Sequence, residues 1–397
     1  MAQVLRGRPA LWSLHRIIET GHSRRRPREC GPDAPFPASG RTDGPWGEID
    51  MDNTSLSLAD ARCLAAAGGA APSLHNSQPW YFRPTRDGRG IMVYADKTRA
   101  VPLTDPDGRA LYISVGAAVF NMCVAAGRLG RDPRVTLLPE GSKPPAAAVL
   151  DLSRFTHDSH PYGPDLYPAI GDRHSSRLPF ANRDVPERVV GELITAAAAE
   201  GVVLDVLEEA DARRVLNLTA EAERRTAADL ARQAETRTWL RLEELTTDGI
   251  PRAALGPQDH DARVPVRAFT GHPPAFPTST QRFEALPQVG TLTTRFDRPE
   301  DWLRAGQAME RVWLLATVHG LRVSVLHQAV EWPDTRATLR DPRTGPGHVQ
   351  MVLRMGYGPP GAPTPRRPVT ETLGPAVDDA GTKTPNATDT GTGTGRT

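Results

Sequence analysis

The sequence predicts an α+β protein with mixed sheets around packed central helices, built twice over in one chain. Three observations carry this reading. Two apolar helical runs, Leu111–Ala126 and Trp302–Ala316, place Gly116/Gly306, Ala118/Ala308, Ala126/Ala316 and Gly130/Gly320 at one constant offset of 190 residues. Small residues at helical spacing let two helices approach closely. Short apolar runs typical of buried strands alternate with longer amphipathic ones, and their spacing fits a duplicated unit rather than a solenoid. Finally, 397 residues suffice for two ordinary domains or one large one.

Taken in order, Tyr81–Phe82–Arg83 and Ile91–Met92–Val93–Tyr94 bracket a turn at Arg86–Asp87–Gly88 and predict a hairpin. Asp105–Pro106–Asp107–Gly108 reads as a turn and N-cap before the first repeated helix rather than as a calcium loop. Ala146–Leu152, Val202–Leu207 and Val349–Met355 read as buried strands. Helices are expected at Glu187–Ala199, Ala210–Ala234 and Arg237–Leu245. The stretch from about 246 to 287 holds Pro251, Pro257, Pro265, Pro273, Pro274 and Pro277, which preclude long regular elements. A loop of that length in a compact chain is expected to be functional, such as a lid, or else disordered.

The halves are expected at 54–165 and 166–370. Residues 1–53, with the basic run Arg24–Arg25–Arg26–Pro27–Arg28, read as a disordered extension, and the Thr/Gly/Asp-rich residues 371–397 as a disordered tail. The net charge of +1 gives no global attraction to nucleic acid or anionic membrane. No apolar run was expected to span a bilayer. Cys30, Cys63 and Cys123 lack paired spacing, so neither a disulfide framework nor a zinc site is implied, and a cytoplasmic location is expected. His157 and His160 share a ligand-like spacing, but Asp158 and Pro161 place them in a loop, and no metal is expected.

Two constellations carry chemistry. Ala71–Trp80 packs two prolines, two serines, an Asn, a Gln and a Trp into one turn after an alanine-rich helix, a composition suited to wrapping a flat polar heterocycle. Arg173–His174–Ser175–Ser176–Arg177 sets two guanidinium forks and two hydroxyls within five residues, which taken alone suits an anion clamp and a solvated basic turn equally. Pro365–Arg366–Arg367–Pro368 is a further basic pair.

Together these pieces resemble the FMN-dependent nitroreductase superfamily, and most closely its Acg-type members from actinobacteria, in which two nitroreductase-like halves are fused. The resemblance covers about 54–368. It implies that Pro72, Ser73, Leu74, Asn76 and Gln78 lie along the flavin ring. It implies that Arg173, His174, Ser175 and Arg177 meet the phosphate, ribityl chain and pyrimidine edge, and that Arg366 and Arg367 complete the phosphate site. Gln328–Glu331 matches the segment whose backbone approaches flavin N5, with the Glu331 N–H nearest.

The flavin-wall motif occurs only in the first copy and the full clamp only in the second; Gly21–Arg25 is a poor echo. One composite FMN site per chain follows, in a monomer that mimics a dimer. The implied activity is hydride transfer through flavin N5 from NAD(P)H to a nitro or quinone-like acceptor. The protein's part is position and electrostatics, with no catalytic acid, base or nucleophile assigned. Arg177 beside the reduced ring is worth about 2–4 kcal/mol by analogy with oxyanion contacts. The other reading is an FMN store or sensor with a closed lid and little turnover.

Overall fold

The computed structural model describes residues 55–158, 160–242, 246–269, 277–340 and 347–376. The expected N-terminal extension, nearly all of the C-terminal tail and the centre of the Pro-rich stretch lie outside them.

The first copy opens with α1 (Leu58–Gly69), then β1 (Trp80–Pro84), β2 (Gly90–Ala95), α2 (Arg109–Arg128), β3 (Arg134–Leu137) and β4 (Ala148–Asp151). The α1 start is set by a capping box, in which Asp60 N–H donates to Ser57 Oγ (3.0 Å) and Ser57 N–H to the Asp60 carboxylate (3.1 Å). Asp105 does the same service for α2, accepting from Ala110 N–H (3.0 Å) and Leu111 N–H (2.9 Å), as the sequence suggested. After the short α3 (Tyr167–Asp172), the second copy runs α4 (Glu187–Ala198), β5 (Val203–Val206), α5 (Glu209–Ala228) and α6 (Leu230–Thr238). Two small parallel strand pairs follow: β6 (Leu240–Arg241) with β7 (Ile250–Pro251), and β8 (Gln258–Asp259) with β9 (Thr280–Gln281). The chain then continues through β10 (Gln288–Thr294), α7 (Pro299–Val318), β11 (Arg322–Val325), α8 (Pro333–Leu339) and β12 (His348–Gly356), and closes with α9 (Val369–Thr372).

The copies share one connectivity. The first sheet is ordered β1-β2-β4-β3 and the second β5-β10-β12-β11, every neighbour antiparallel. Each sheet receives one long helix between its second and third strands in sequence. Those helices, Arg109–Arg128 and Pro299–Val318, correspond residue for residue at the offset of 190 read from the sequence. Each is followed by a left-handed glycine, Gly130 at φ 71° and Gly320 at φ 73°, which lets the chain reverse.

The two helices cross at their glycines. A β-carbon on Gly116 would lie 2.1 Å from the Leu303 carbonyl oxygen, and one on Gly306 would lie 2.0 Å from the Ile113 carbonyl oxygen. Ile113 and Leu303 are themselves equivalents, so each glycine admits the same backbone atom of the other copy. Around this crossing one apolar core gathers Leu64, Phe82, Val119, Leu292, Leu303 and Trp313, drawn from both copies. The halves therefore fold as one body.

Several expectations need correction. α2 is by length and composition able to cross a membrane, against the expectation that no run would be, and it is almost wholly buried in this fold. Among the described residues the helix expected at Arg237–Leu245 is not formed: α6 ends at Thr238 and the chain turns through Trp239 into β6, while residues 243–245 lie outside the described residues. The helical run expected at 210–234 is two helices, divided at Asp229, whose extended backbone and side chain cap α6. The start of the expected tail is ordered, since Gly374 N–H donates to the Phe82 carbonyl (2.9 Å) and Leu373 bridges the edge of the first sheet.

The copies differ most between their first two strands. β1 and β2 are joined by a five-residue turn with Gly88 at φ 69°, whereas residues 207–287 stand between β5 and β10. This insertion contains α5, α6 and the Pro-rich stretch.

Candidate functional site

A cavity of about 1080 Å³ of empty space lies where the two copies meet. Its first wall is the Ala71–Trp80 turn, which contributes Pro72, Ser73, Leu74, His75 and Asn76. His75, Asn76 and Gln78 adopt left-handed backbone at φ 53°, 56° and 51°. Non-glycine residues pay about 1–3 kcal/mol each for such geometry when surroundings enforce it. The enforcing bonds are visible: Gln78 N–H donates to Ser73 Oγ (2.9 Å), Asn76 Nδ2 to the Gly249 carbonyl (2.8 Å), and Gln78 Nε2 to the Thr247 carbonyl (2.8 Å).

The second wall follows α3, with Arg173, His174, Ser175 and Arg177. Ser176 N–H bonds the Val323 carbonyl (3.0 Å), which ties this segment to the second sheet. Arg173 is buried, pairs with buried Glu310 at 3.2 Å, donates to the Ala70 carbonyl (3.0 Å) and lies 4.8 Å from the Trp313 ring centre. Arg177 donates to the Ala254 carbonyl (2.6 Å) and lies 4.9 Å from the Phe269 ring centre. Arg366 donates to Asn76 Oδ1 (3.0 Å) and to the Ala70 carbonyl (3.1 Å), and its Nε is buried without a partner. The central helices supply Ile113, Ser114, Met309 and Trp313, and the insertion supplies Ile250, Ala254, Val266 and Phe269.

Charge in this wall is unbalanced toward the positive. Burial lowers the Arg366 guanidinium to about 9, with neighbouring Arg173 adding to the effect. Burial and then Arg267 lower Arg177 to about 10. Burial pushes the Glu310 carboxyl up to about 7 in spite of Arg173. Burial, with Arg173 and Arg366, holds His174 down at about 4, and burial with Arg267 holds His75 at about 3. Both imidazoles are thus neutral near pH 7. Buried Arg173 and half-buried Arg177 and Arg366, with only the weakly acidic Glu310 beside Arg173 to offset them, form a site for an anion.

Of the twelve residues the sequence nominated, nine line the cavity: Pro72, Ser73, Leu74, Asn76, Arg173, His174, Ser175, Arg177 and Arg366. Three do not. Gln78 is wholly buried, and its carboxamide is consumed by the Thr247 carbonyl and by Arg367 N–H (2.8 Å), so it shapes the turn instead of facing the cavity. Arg367 points the other way, toward the Gln78 and Trp80 carbonyls (both 3.4 Å) and Glu371 (3.5 Å). Glu331 N–H already donates to the Gln328 carbonyl (3.2 Å). Its carboxylate sits between Arg267 (2.6 Å) and His327 Nδ1 (2.7 Å). Burial alone would raise that carboxyl, and the Arg267 charge and the His327 bond outweigh it, holding it at about 2.

The sequence reading missed His75, Arg267, Phe269, Glu310, Trp313 and His327. Glu310 had a legible signal, an acid amid the apolar stripe of a central helix. His327 and Glu331 stand four apart, the spacing of one helical turn. Arg267 and Phe269 lie in an irregular segment whose path no local pattern specifies.

The equivalent position on the opposite side of the helix crossing carries different residues. Arg311 pairs there with Glu200 (2.7 Å), and Tyr162 packs edge-on against Phe120 at 5.3 Å between centres. Cys123, the counterpart of Trp313, is buried beside them, its thiol pushed up to about 12 by burial.

Fold and cavity define an internally duplicated α+β protein with a cationic cavity between its copies. No family model matches the chain. A Mycobacterium tuberculosis protein provisionally named NAD(P)H nitroreductase acg is 30% identical over 333 residues, which span 81% of this chain and 97% of the relative. A second M. tuberculosis protein, also provisionally named an NAD(P)H nitroreductase, is 29% identical over 323 residues, 76% of this chain and 88% of its own. Among solved structures, a nitroreductase with bound FMN from Bacteroides fragilis is 15% identical and covers 55% of this chain and 97% of its own at a TM-score of 0.31. A BluB-like flavoprotein from Clostridium difficile is also 15% identical and covers 53% and 97% at 0.35. The chain belongs to the Acg-type nitroreductase-like family.

Proposed function

We propose that this protein is an FMN-dependent oxidoreductase of the nitroreductase type, using NAD(P)H as donor and a nitro or quinone-like compound as acceptor. The observation that carries the reading is the surplus of guanidinium charge, buried at Arg173 and half-buried at Arg177 and Arg366, where the Ala71–Trp80 turn of one copy meets the Arg173–Arg177 clamp of the other. The orphaned Arg366 Nε and His75 Nε2 both lie in residues lining this cavity and fit a ligand that is anionic at one end and a hydrogen-bonding heterocycle at the other.

FMN, when bound, supplies the two-electron redox chemistry that no side chain here provides. Arg366 and Arg173 would hold its phosphate by charge-assisted bonds, with Ser175 of the same cavity wall available as a further donor. Arg177 would stabilise negative charge developing on the heterocycle. Trp313, Met309 and Leu74 exclude water and keep the local dielectric low, which strengthens each of these contacts. In this reading one chain carries one FMN, in two halves at 54–165 and 166–370, and works as a monomer in the cytoplasm.

A second reading is favoured by the insertion. Besides its bonds to Asn76 and Gln78, it is fastened to the first copy by Asp248, which pairs with Arg99 and Arg241. Glu235 adds to this by accepting from Leu103 N–H and Thr104 N–H (both 2.8 Å). A segment so held supports an FMN store with little turnover.

Purified protein decides between them. Yellow colour with flavin absorbance bands, bleached by NADPH without oxygen, supports the oxidoreductase. Bleaching by dithionite but not by NADPH supports the store, and colourless protein that ignores added FMN refutes both. Changing Arg173 and Arg177 together to Ala abolishes flavin retention on either reading.

A further inference from the structure

A lid was one expectation for the Pro-rich stretch, yet its bonds are to the binding residues themselves. Arg177 has no carboxylate partner among the described residues, although it is half-buried in the cavity wall. Its surroundings come from the insertion on two sides: the Ala254 carbonyl accepts from Nη1 at 2.6 Å, and the Phe269 ring centre lies 4.9 Å from the guanidinium carbon. A third contact fixes the backbone. Gly256, at φ 73°, passes so close that a β-carbon there would lie 2.6 Å from Arg177 Cβ and 2.7 Å from its carbonyl oxygen. Phe269 is itself braced edge-on by His75, with centres 6.1 Å apart and planes at 73°. His75 stands in the strained turn of the first copy, so the stack His75–Phe269–Arg177 runs from one binding motif, through the insertion, to the other.

A half-buried guanidinium without a carboxylate partner has lost part of its hydration, and an aromatic face is one of few neutral groups that attract it. We propose that Phe269 is a positioning residue for Arg177: through its ring and the Ala254 carbonyl, the insertion holds this guanidinium at the cavity wall for the electron-rich edge of a bound ligand. The insertion is then a working part of the anion site, and opening it disassembles recognition instead of merely granting access. Identification of that ligand edge rests on the FMN reading; the positioning of Arg177 by Phe269 does not.

The test compares Phe269→Leu, which keeps apolar bulk but lacks a π face, with Phe269→Tyr, which keeps the face. The first readout needs no ligand: modification of Arg177 by phenylglyoxal in flavin-free protein, followed by mass spectrometry. The second is FMN affinity by fluorescence quenching, together with the visible band positions of the bound flavin. In Phe269→Leu, Arg177 is modified faster, FMN binding weakens about tenfold, and the flavin bands shift, while Phe269→Tyr restores all three. Gly256→Ala, which forces Arg177 aside without touching the ring, reproduces the loss.

A Phe269→Leu protein with unchanged Arg177 modification overturns the proposal, as does one that modifies faster but binds FMN with unaltered affinity and spectrum. Failure of the wild type to bind FMN refutes the cofactor assignment alone, because phenylglyoxal modification still decides the positioning.

Discussion

The glycine crossing of α2 and α7 makes a quantitative prediction. In Gly116→Ala the new methyl lies 2.1 Å from the Leu303 carbonyl oxygen, and in Gly306→Ala it lies 2.0 Å from the Ile113 carbonyl oxygen. Neither oxygen is at the end of a flexible side chain, so the helices must part by about 1 Å to restore van der Waals distance, and a gap of that size forfeits a quarter to a half of each dispersion contact it opens. With overpacking strain included, each substitution costs about 3 kcal/mol or more and lowers Tm by about 6 °C or more. The double variant costs clearly less than the sum, because one parting of the helices accommodates both methyls. Gly191→Ala is the control: it is exposed in α4 with nothing within 4 Å of the added carbon, and it gains about 0.5–1 kcal/mol from helix propensity. Thermal and urea unfolding of the four proteins checks this. Single variants within 1 °C of wild type, or strict additivity in the double variant, refute the close crossing.

Two other predictions concern the cavity. The Glu310 carboxyl is raised from 4.5 to about 7, so its contribution to stability is complete below the unfolded value and is lost as pH rises through the folded one. Thermal unfolding across that window therefore shows the wild-type advantage over Glu310→Gln shrinking as pH rises, and a pH-independent gap contradicts the assignment. Removing both carboxylates that fasten the insertion, by Glu235→Gln with Asp248→Asn, speeds FMN release about ten- to thirtyfold and accelerates tryptic cleavage near Arg241, both measurable by stopped-flow fluorescence and peptide mapping. Release at the wild-type rate shows that the fastening does not govern exchange.

Much of the architecture was legible because it depends on residues with few alternatives. A backbone-to-backbone crossing admits only glycine, so Gly116 and Gly306 announced the duplication and its offset. The β1–β2 hairpin was legible from its Asp87–Gly88 turn. β3 was not, since Arg134–Leu137 alternates between exposed and half-buried and carries no apolar run. In the site, motif membership located Asn76 and Gln78 equally well but could not say which amide faces the cavity. That depends on Thr247 and Arg367, distant in sequence. Arg366 and Arg367 are likewise adjacent in one motif, and their opposite directions follow from tertiary partners alone. Phe269 illustrates the hardest case, a residue whose role exists only once the insertion has crossed to the clamp.

The helix crossing also fixes an order of events during synthesis. The largest share of the packing on α2 comes from a helix made 190 residues later, an interval of about 10–40 s at ordinary rates of translation. Until then the first copy leaves the ribosome with α1 and its own sheet on α2 but the face that meets α7 uncovered. The nascent chain is therefore a client for chaperones that shield apolar segments, and a chain truncated before α7 is an aggregation hazard rather than a stable half.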